Sequence, residues 1–152
     1  MPIRDVTPDI DGTGMRVGIV RSTFNPELTE ALLDGAVEAL AAAGVVDVTV
    51  INVPGALELP VIALHLAAHH HTVVALGVVI EGETDHYEHV ATQTMAGLMQ
   101  VSVTTGIPVG NGVLTVREKQ HAIDRAQPGR GNKGAEAAEA AVAAAMAIRE
   151  LA

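Results

Sequence analysis

Three short stretches of this chain place chemically capable residues beside turn formers: STFN at Ser22–Asn25, PGALE at Pro54–Glu58 and IEGETDHYEH at Ile80–His89. The last carries the most chemistry. His86 is an imidazole, which titrates near neutral pH and can act as a general acid or base. It stands just inside the first turn of an expected helix, with Thr84 or Asp85 at the N-cap. The first turn of a helix leaves backbone N–H groups unpaired at the positive end of the dipole, so a strand-to-helix junction of this kind can hold an anion. An imidazole beside an anion hole points to chemistry on a phosphorylated small molecule. The plainer reading is a histidine that faces solvent at a helix start.

The other candidates also have two readings. Phe24 can stack on a planar ligand, or pack as a hydrophobic staple from just before an N-cap at Asn25. Glu58 can accept hydrogen bonds from a ligand, or be the acid favoured at a helix N-terminus. His86 and His89 share a helix face at i, i+3, but zinc sites of the HExxH kind need i, i+4 and no third ligand is evident, so no metal is expected. His69, His70 and His71 fall at a helix end, where a solvated cap suits the C-terminal dipole. Arg125 and Lys133 are candidate phosphate or substrate ligands; each alone reads as a surface charge.

Charge distribution strengthens the case for those two cations. The chain carries a net charge of −9, which argues against a nucleic-acid surface. All nine basic residues lie at Arg21 or earlier or at Arg117 or later, with ten acids and no Lys or Arg between. A phosphate held near Gly82 must therefore draw its cation from a distant segment. Arg117, Lys119, Arg125, Arg130 and Lys133 are the candidates, on this subunit or a neighbour.

These residues need a scaffold, and 152 residues suffice for one domain with a single core. Phe24 and Tyr87 are the only aromatics, so the core is aliphatic. The absence of cysteine excludes disulfides, thiolate catalysis and zinc–thiolate sites. The polar start, broken by Pro and Gly, does not read as a signal peptide, and no apolar run approaches the ~18–20 residues of a membrane helix. A cytoplasmic protein is expected.

Residues 1–15 read as a flexible N-terminal segment and 16–152 as one α/β domain. Strands are expected at Arg16–Arg21, Asp47–Val53, Thr72–Ile80 and Gly110–Val116. Helices are expected from Pro26 to a glycine stop at Gly44, over Leu59–His70, Asp85–Thr105 and Lys119–Ala126, and over Lys133–Leu151. This alternation indicates a parallel sheet, whose ligands bind beyond the carboxyl ends of the strands. The rule picks out Ser22–Asn25, Pro54–Glu58, Ile80–His86 and Gly110–Val113.

STFN, VPGALELP, ALGVVIEGETDHYEHV, NGVLT, IDRA and GNKGAEAA occur in the order and spacing of lumazine synthases. The chain resembles that family over nearly its whole length after the first fifteen or so residues. The resemblance implies a flavodoxin-like three-layer α/β sandwich with a central four-stranded parallel sheet. It implies a homo-pentamer, with the sixty-subunit icosahedral shell of some relatives left open by the short Gln127–Asn132 linker, and riboflavin synthase as a further partner. The reaction it implies joins 5-amino-6-(D-ribitylamino)uracil to 3,4-dihydroxy-2-butanone 4-phosphate without metal or organic cofactor.

By the same resemblance, Phe24 stacks on the uracil ring with Asn25 beside it. Ala56, Leu57 and Glu58, with Val78, Val79 and Ile80, hold the uracil edges and the ribityl chain. Glu83 and Thr84 present N–H groups to the phosphate, and His86 moves protons. Asn111, Arg125 and Lys133 belong to the pocket of the adjacent subunit, with Arg125 as the phosphate clamp. Two departures stand out. Many relatives carry Arg or Lys where this chain has Glu81, and TVREKQHA replaces a TT-containing helix start. A carboxylate beside a phosphate is unfavourable, so Glu81 and Glu83 are expected to point outward or pair with cations. Glu81 also motivates a different reading, a shell that stores flavin-like ligands without turnover. A sister enzyme of the riboflavin synthase type is a third.

Overall fold

The computed structural model describes all residues from Met1 to Ala152. Four strands alternate with five helices: β1 Arg16–Ser22, α1 Pro26–Ala42, β2 Asp47–Val53, α2 Leu59–Ala67, β3 Thr72–Ile80, α3 His86–Thr105, β4 Val109–Val116, α4 Lys119–Arg125 and α5 Lys133–Leu151. All strand pairs are parallel, in the order β2-β1-β3-β4. The expected flavodoxin-like three-layer arrangement is what the chain adopts. No helix is long and apolar enough to cross a membrane.

The sheet divides two aliphatic cores. On one side Leu28, Leu32, Ala36 and Leu40 of α1 recur every fourth residue and meet Ala137, Ala138, Ala141, Val142 and Ala145 of α5 over Val17, Ile19, Val74 and Leu76. On the other, Leu59, Ala63 and Leu66 of α2 and Leu98 and Val101 of α3 cover Val20, Val73 and Ala75. β3 is buried on both faces from Thr72 to Val78, which is why it reads as an unbroken apolar run rather than an alternating one.

Two local devices fix α1. Gly44, at φ 84°, closes its end: Val45 N–H donates to Leu40 and Gly44 N–H to Ala41, a Schellman motif whose apolar contact is Leu40 with Val45. At the start of α5, Gly134 lies against the Leu32 backbone, where a Cβ would collide with the Leu32 carbonyl. Asn132, 1% exposed, stands between the two helices. Its Oδ1 accepts from Ala135 N–H at 3.0 Å, capping α5. Its amide is shared among the carbonyls of Ala31, Ala126 and Gln127 at 3.1–3.3 Å.

The structure corrects three local expectations. α2 ends at Ala67, short of His70, and a 3-10 turn at Ala56–Glu58 precedes it. His70 and His71 are not merely solvated: His70 Nδ1 lies 2.7 Å from the Leu66 carbonyl, and His71 Nδ1 accepts the Arg16 N–H at 2.8 Å. Gly110–Val113 is not at a carboxyl end. Asn111 pairs with Ala75, in the amino-terminal half of β4, and that strand ends at Val116.

Residues 1–15 carry no helix or strand. Met15 is nevertheless buried, and Gly12 N–H donates to the Ala43 carbonyl at 2.7 Å.

Candidate active site

In the order β2-β1-β3-β4 the chain winds outward in opposite directions from β1 and β3, so a crevice opens between the carboxyl ends of those two strands. Asn25 follows β1 there. It is the one non-glycine residue with positive φ, at 59°, a region Asn tolerates better than most residues. Asn25 stands at the N-cap position of α1 but does not cap it through its side chain. Its Nδ2 instead donates to the Val78 carbonyl of β3 at 3.2 Å, across the crevice. The left-handed bend leaves Phe24 70% exposed, so Phe24 is no staple; it lines a cleft of about 380 Å³. That volume falls in the range of small-molecule sites.

The opposite wall is the turn Gly55–Glu58. Glu58 Oε1 accepts the Gly55 N–H at 3.0 Å, closing the turn as an acid at a helix N-terminus, and the residue also lines the cleft. Val78, Val79 and Ile80 form the floor, and Ala56 and Leu57 complete the apolar side.

The rim is the segment after β3. Glu81 N–H still donates to Val116, extending the ladder by one residue. The N–H groups of Gly82, Glu83, Thr84 and Asp85 then donate to no other group of the chain. Thr84 Oγ1 accepts the His86 N–H at 3.3 Å, leaving its hydroxyl hydrogen to donate elsewhere. Asp85 is the N-cap residue of α3 without a side-chain capping bond. His86 opens that helix and lines the cleft. His89 faces Asp85 at 3.5 Å, whereas the His86 ring makes no bond to another residue and stays available to a ligand.

Nine of the residues picked from the sequence therefore line one cleft: Phe24, Ala56, Leu57, Glu58, Val78, Val79, Ile80, Thr84 and His86. Asn25 borders it, and Glu83 belongs to its rim without lining it. Asn111, Arg125 and Lys133 lie elsewhere on the subunit. Asn111 Nδ2 lies 3.1 Å from Met95 Sδ, Arg125 Nη1 donates to the His121 carbonyl at 3.0 Å, and Lys133 pairs with Glu136 at 2.7 Å. Gly55, Gly82, Tyr87 and Val90 also line the cleft, although no site role was assigned to them from the sequence. Val90 was findable, because it sits one helical turn beyond His86 on the same face.

No Lys or Arg lines the cleft. Three carboxylates surround the rim, and two have partners: Asp85 with His89, and Glu81 with Arg117 at 3.6 Å. The two departures noted in the sequence, Glu81 and the REK segment, thus meet in one ion pair.

A doubly wound parallel sheet with an apolar cleft at its switch point, rimmed by free N–H groups and an unengaged imidazole, defines an α/β protein with a small-molecule cleft. The chain belongs to the 6,7-dimethyl-8-ribityllumazine synthase family, which it matches over residues 14–149. It is 49% identical over 147 residues to the 6,7-dimethyl-8-ribityllumazine synthase of Kineococcus radiotolerans, covering 95% of this chain and 91% of that one. The enzymes of the same name from Mycobacterium avium (strain 104) and Mycobacterium leprae (strain Br4923) are 47% and 44% identical over 146 residues, again covering 95% of this chain and 91% of theirs.

Proposed function

We propose that this protein is a transferase of riboflavin biosynthesis that condenses 5-amino-6-(D-ribitylamino)uracil with 3,4-dihydroxy-2-butanone 4-phosphate to give 6,7-dimethyl-8-ribityllumazine. Family membership supports this reading. The observation that carries it at the level of atoms is a cleft lined by Phe24 and a free His86 ring and rimmed by the unpaired N–H groups of residues 82–85.

In this reading the uracil ring lies on Phe24, with its polar edges against the Ala56–Glu58 turn and the ribityl chain along Val78–Ile80. The phosphate sits on the rim, where Glu83 and Thr84 supply N–H groups and Thr84 its hydroxyl. The reaction runs through amine attack on the ketone with loss of water to an imine, departure of phosphate, and ring closure with loss of a second water. His86 moves protons at these steps. Holding two reactive molecules in contact supplies most of the acceleration. No metal or organic cofactor enters.

The cleft lacks a cation for the phosphate. We assign that role to Arg125 of an adjacent copy, with Lys133 close to it and Asn111 lining the same shared pocket. This places the active sites between neighbours in a cytoplasmic homo-pentamer, which a sixty-subunit shell can incorporate and which can serve a riboflavin synthase downstream. Native mass spectrometry reads the assembly directly.

Mixing purified protein with both substrates and following the absorbance of the lumazine tests the assignment. Product formation that requires both substrates is the expected result. Ligand binding without turnover would mark a storage shell instead, and riboflavin as product would mark a sister enzyme. Glu81 motivates the storage reading, and the observation that speaks against it is the pairing of Glu81 with Arg117.

A further inference from the structure

Glu81, Glu83 and Asp85 crowd three carboxylates into the five residues that rim the cleft, and the cleft offers no cation of its own to offset them. Glu81 is the most consequential, because it immediately precedes Gly82, the first of the residues with free N–H groups. The sheet determines where its side chain meets a partner. Ile80 and Val116 are paired in register, and Glu81 N–H donates to the Val116 carbonyl at 2.9 Å. The next residues along the two strands are therefore neighbours, and the Arg117 guanidinium reaches the Glu81 carboxylate with Nε 3.6 Å from Oε2. Both side chains are solvent-accessible, so the pair adds little to folding stability. Its effect on the local field is a separate matter, since a charge acts on a neighbouring anion across several ångströms.

We propose that Arg117 is a positioning residue for the phosphate subsite. It holds and neutralises the Glu81 carboxylate, so that the rim accepts a phosphate that the unpaired carboxylate would repel. Arg117 does this without touching the phosphate. The proposal rests on the reading that residues 82–84 bind that phosphate.

Steady-state kinetics on the intact protein test it, with Arg117→Gln, Glu81→Gln and the double variant compared. Arg117→Gln should raise KM for the phosphorylated substrate about five- to tenfold, with kcat and KM for the ribitylaminouracil changed less than about twofold. The increase should shrink as ionic strength rises, because exposed charges are screened. Adding Glu81→Gln to Arg117→Gln should return KM to near its original value, a rescue that a structural defect would not give. An unchanged KM in Arg117→Gln, or no rescue in the double variant, overturns the proposal. Thr84→Ala separates the two levels. If it raises KM for the phosphorylated substrate while Arg117→Gln does not, only the role of Arg117 fails. If neither variant moves that KM, the phosphate reading of the rim fails with it.

Discussion

The Asn25 side-chain amide donates to the Val78 carbonyl across 3.2 Å, joining the end of β1 to the end of β3 over the mouth of the cleft. One residue thus performs two tasks. Its left-handed backbone turns Phe24 outward, and its side chain holds the two walls in register. Asn25→Gly keeps the backbone freedom and loses only the cross-link, whereas Asn25→Ala loses both. We expect Asn25→Gly to lower stability by about 0.5–1.5 kcal/mol and Asn25→Ala by about 1–2 kcal/mol more, from the left-handed conformation. Urea unfolding of the two variants checks this; equal losses would mean that backbone strain does not select Asn here.

Phe24 separates function from stability. A ring that is 70% exposed contributes little to the core, so Phe24→Ala should unfold at nearly the same temperature as the parent. Loss of a stacked aromatic partner should weaken binding by about 1–3 kcal/mol, or roughly 5- to 150-fold in KM for the ribitylaminouracil. The KM for the phosphorylated substrate should move far less. A large fall in melting temperature with no change in either KM would return Phe24 to a packing role.

Asn132 shows the opposite behaviour. It is buried far from the cleft and satisfies one donor and several carbonyls where α1, α4 and α5 meet. Asn132→Ala should cost about 2–3 kcal/mol through the lost cap and the stranded carbonyls. Asn132→Asp is the sharper test. Aspartate caps helices as well as asparagine does, but here its second oxygen would face carbonyls, so the variant should also melt lower. An Asn132→Asp protein as stable as the parent would show that capping alone accounts for this residue.

The element pattern was legible because local rules and tertiary packing agree in this chain. The unbroken, β-branched run Thr72–Ile80 has the length and composition of a strand covered on both faces, and Asn25-Pro26 and Gly44 bracket α1. The same holds for the cleft, since the carboxyl-end rule and the side-chain chemistry selected the same loops. The exceptions have physical causes. Asn25 follows a turn rule that specifies a cap, yet the neighbouring β3 carbonyl is a better partner for its amide, and no local pattern reveals a contact 53 residues away in sequence. Asn132 is likewise a tertiary hub whose sequence signal is only that of an N-cap. The carboxyl-end rule picks out Gly110–Val113, whereas these residues lie early in β4, which runs on to Val116. Tyr87 is one of only two aromatics and follows His86 directly, but which way a helix-start side chain points depends on the helix axis. That axis is set by packing on α2 and on β3 and β4 of the sheet.

The central claim is that one site is built from two copies, with the rim after Ile80 on one subunit and Arg125 on the next enclosing the same phosphate. His86→Ala should slow the reaction about 10- to 100-fold, the lower range for general acid–base groups, and Arg125→Ala should raise KM for the phosphorylated substrate. Each lesion then falls on a different wall of the shared site. Unfolding the two variants together in equal amounts, refolding the mixture and assaying at limiting phosphorylated substrate tests the claim most directly. Random assembly into a ring with head-to-tail interfaces gives sites with both walls intact about a quarter of the time, so activity should recover to about a quarter of the parent value. A mixture no more active than the average of the two variants refolded separately would contradict the shared site.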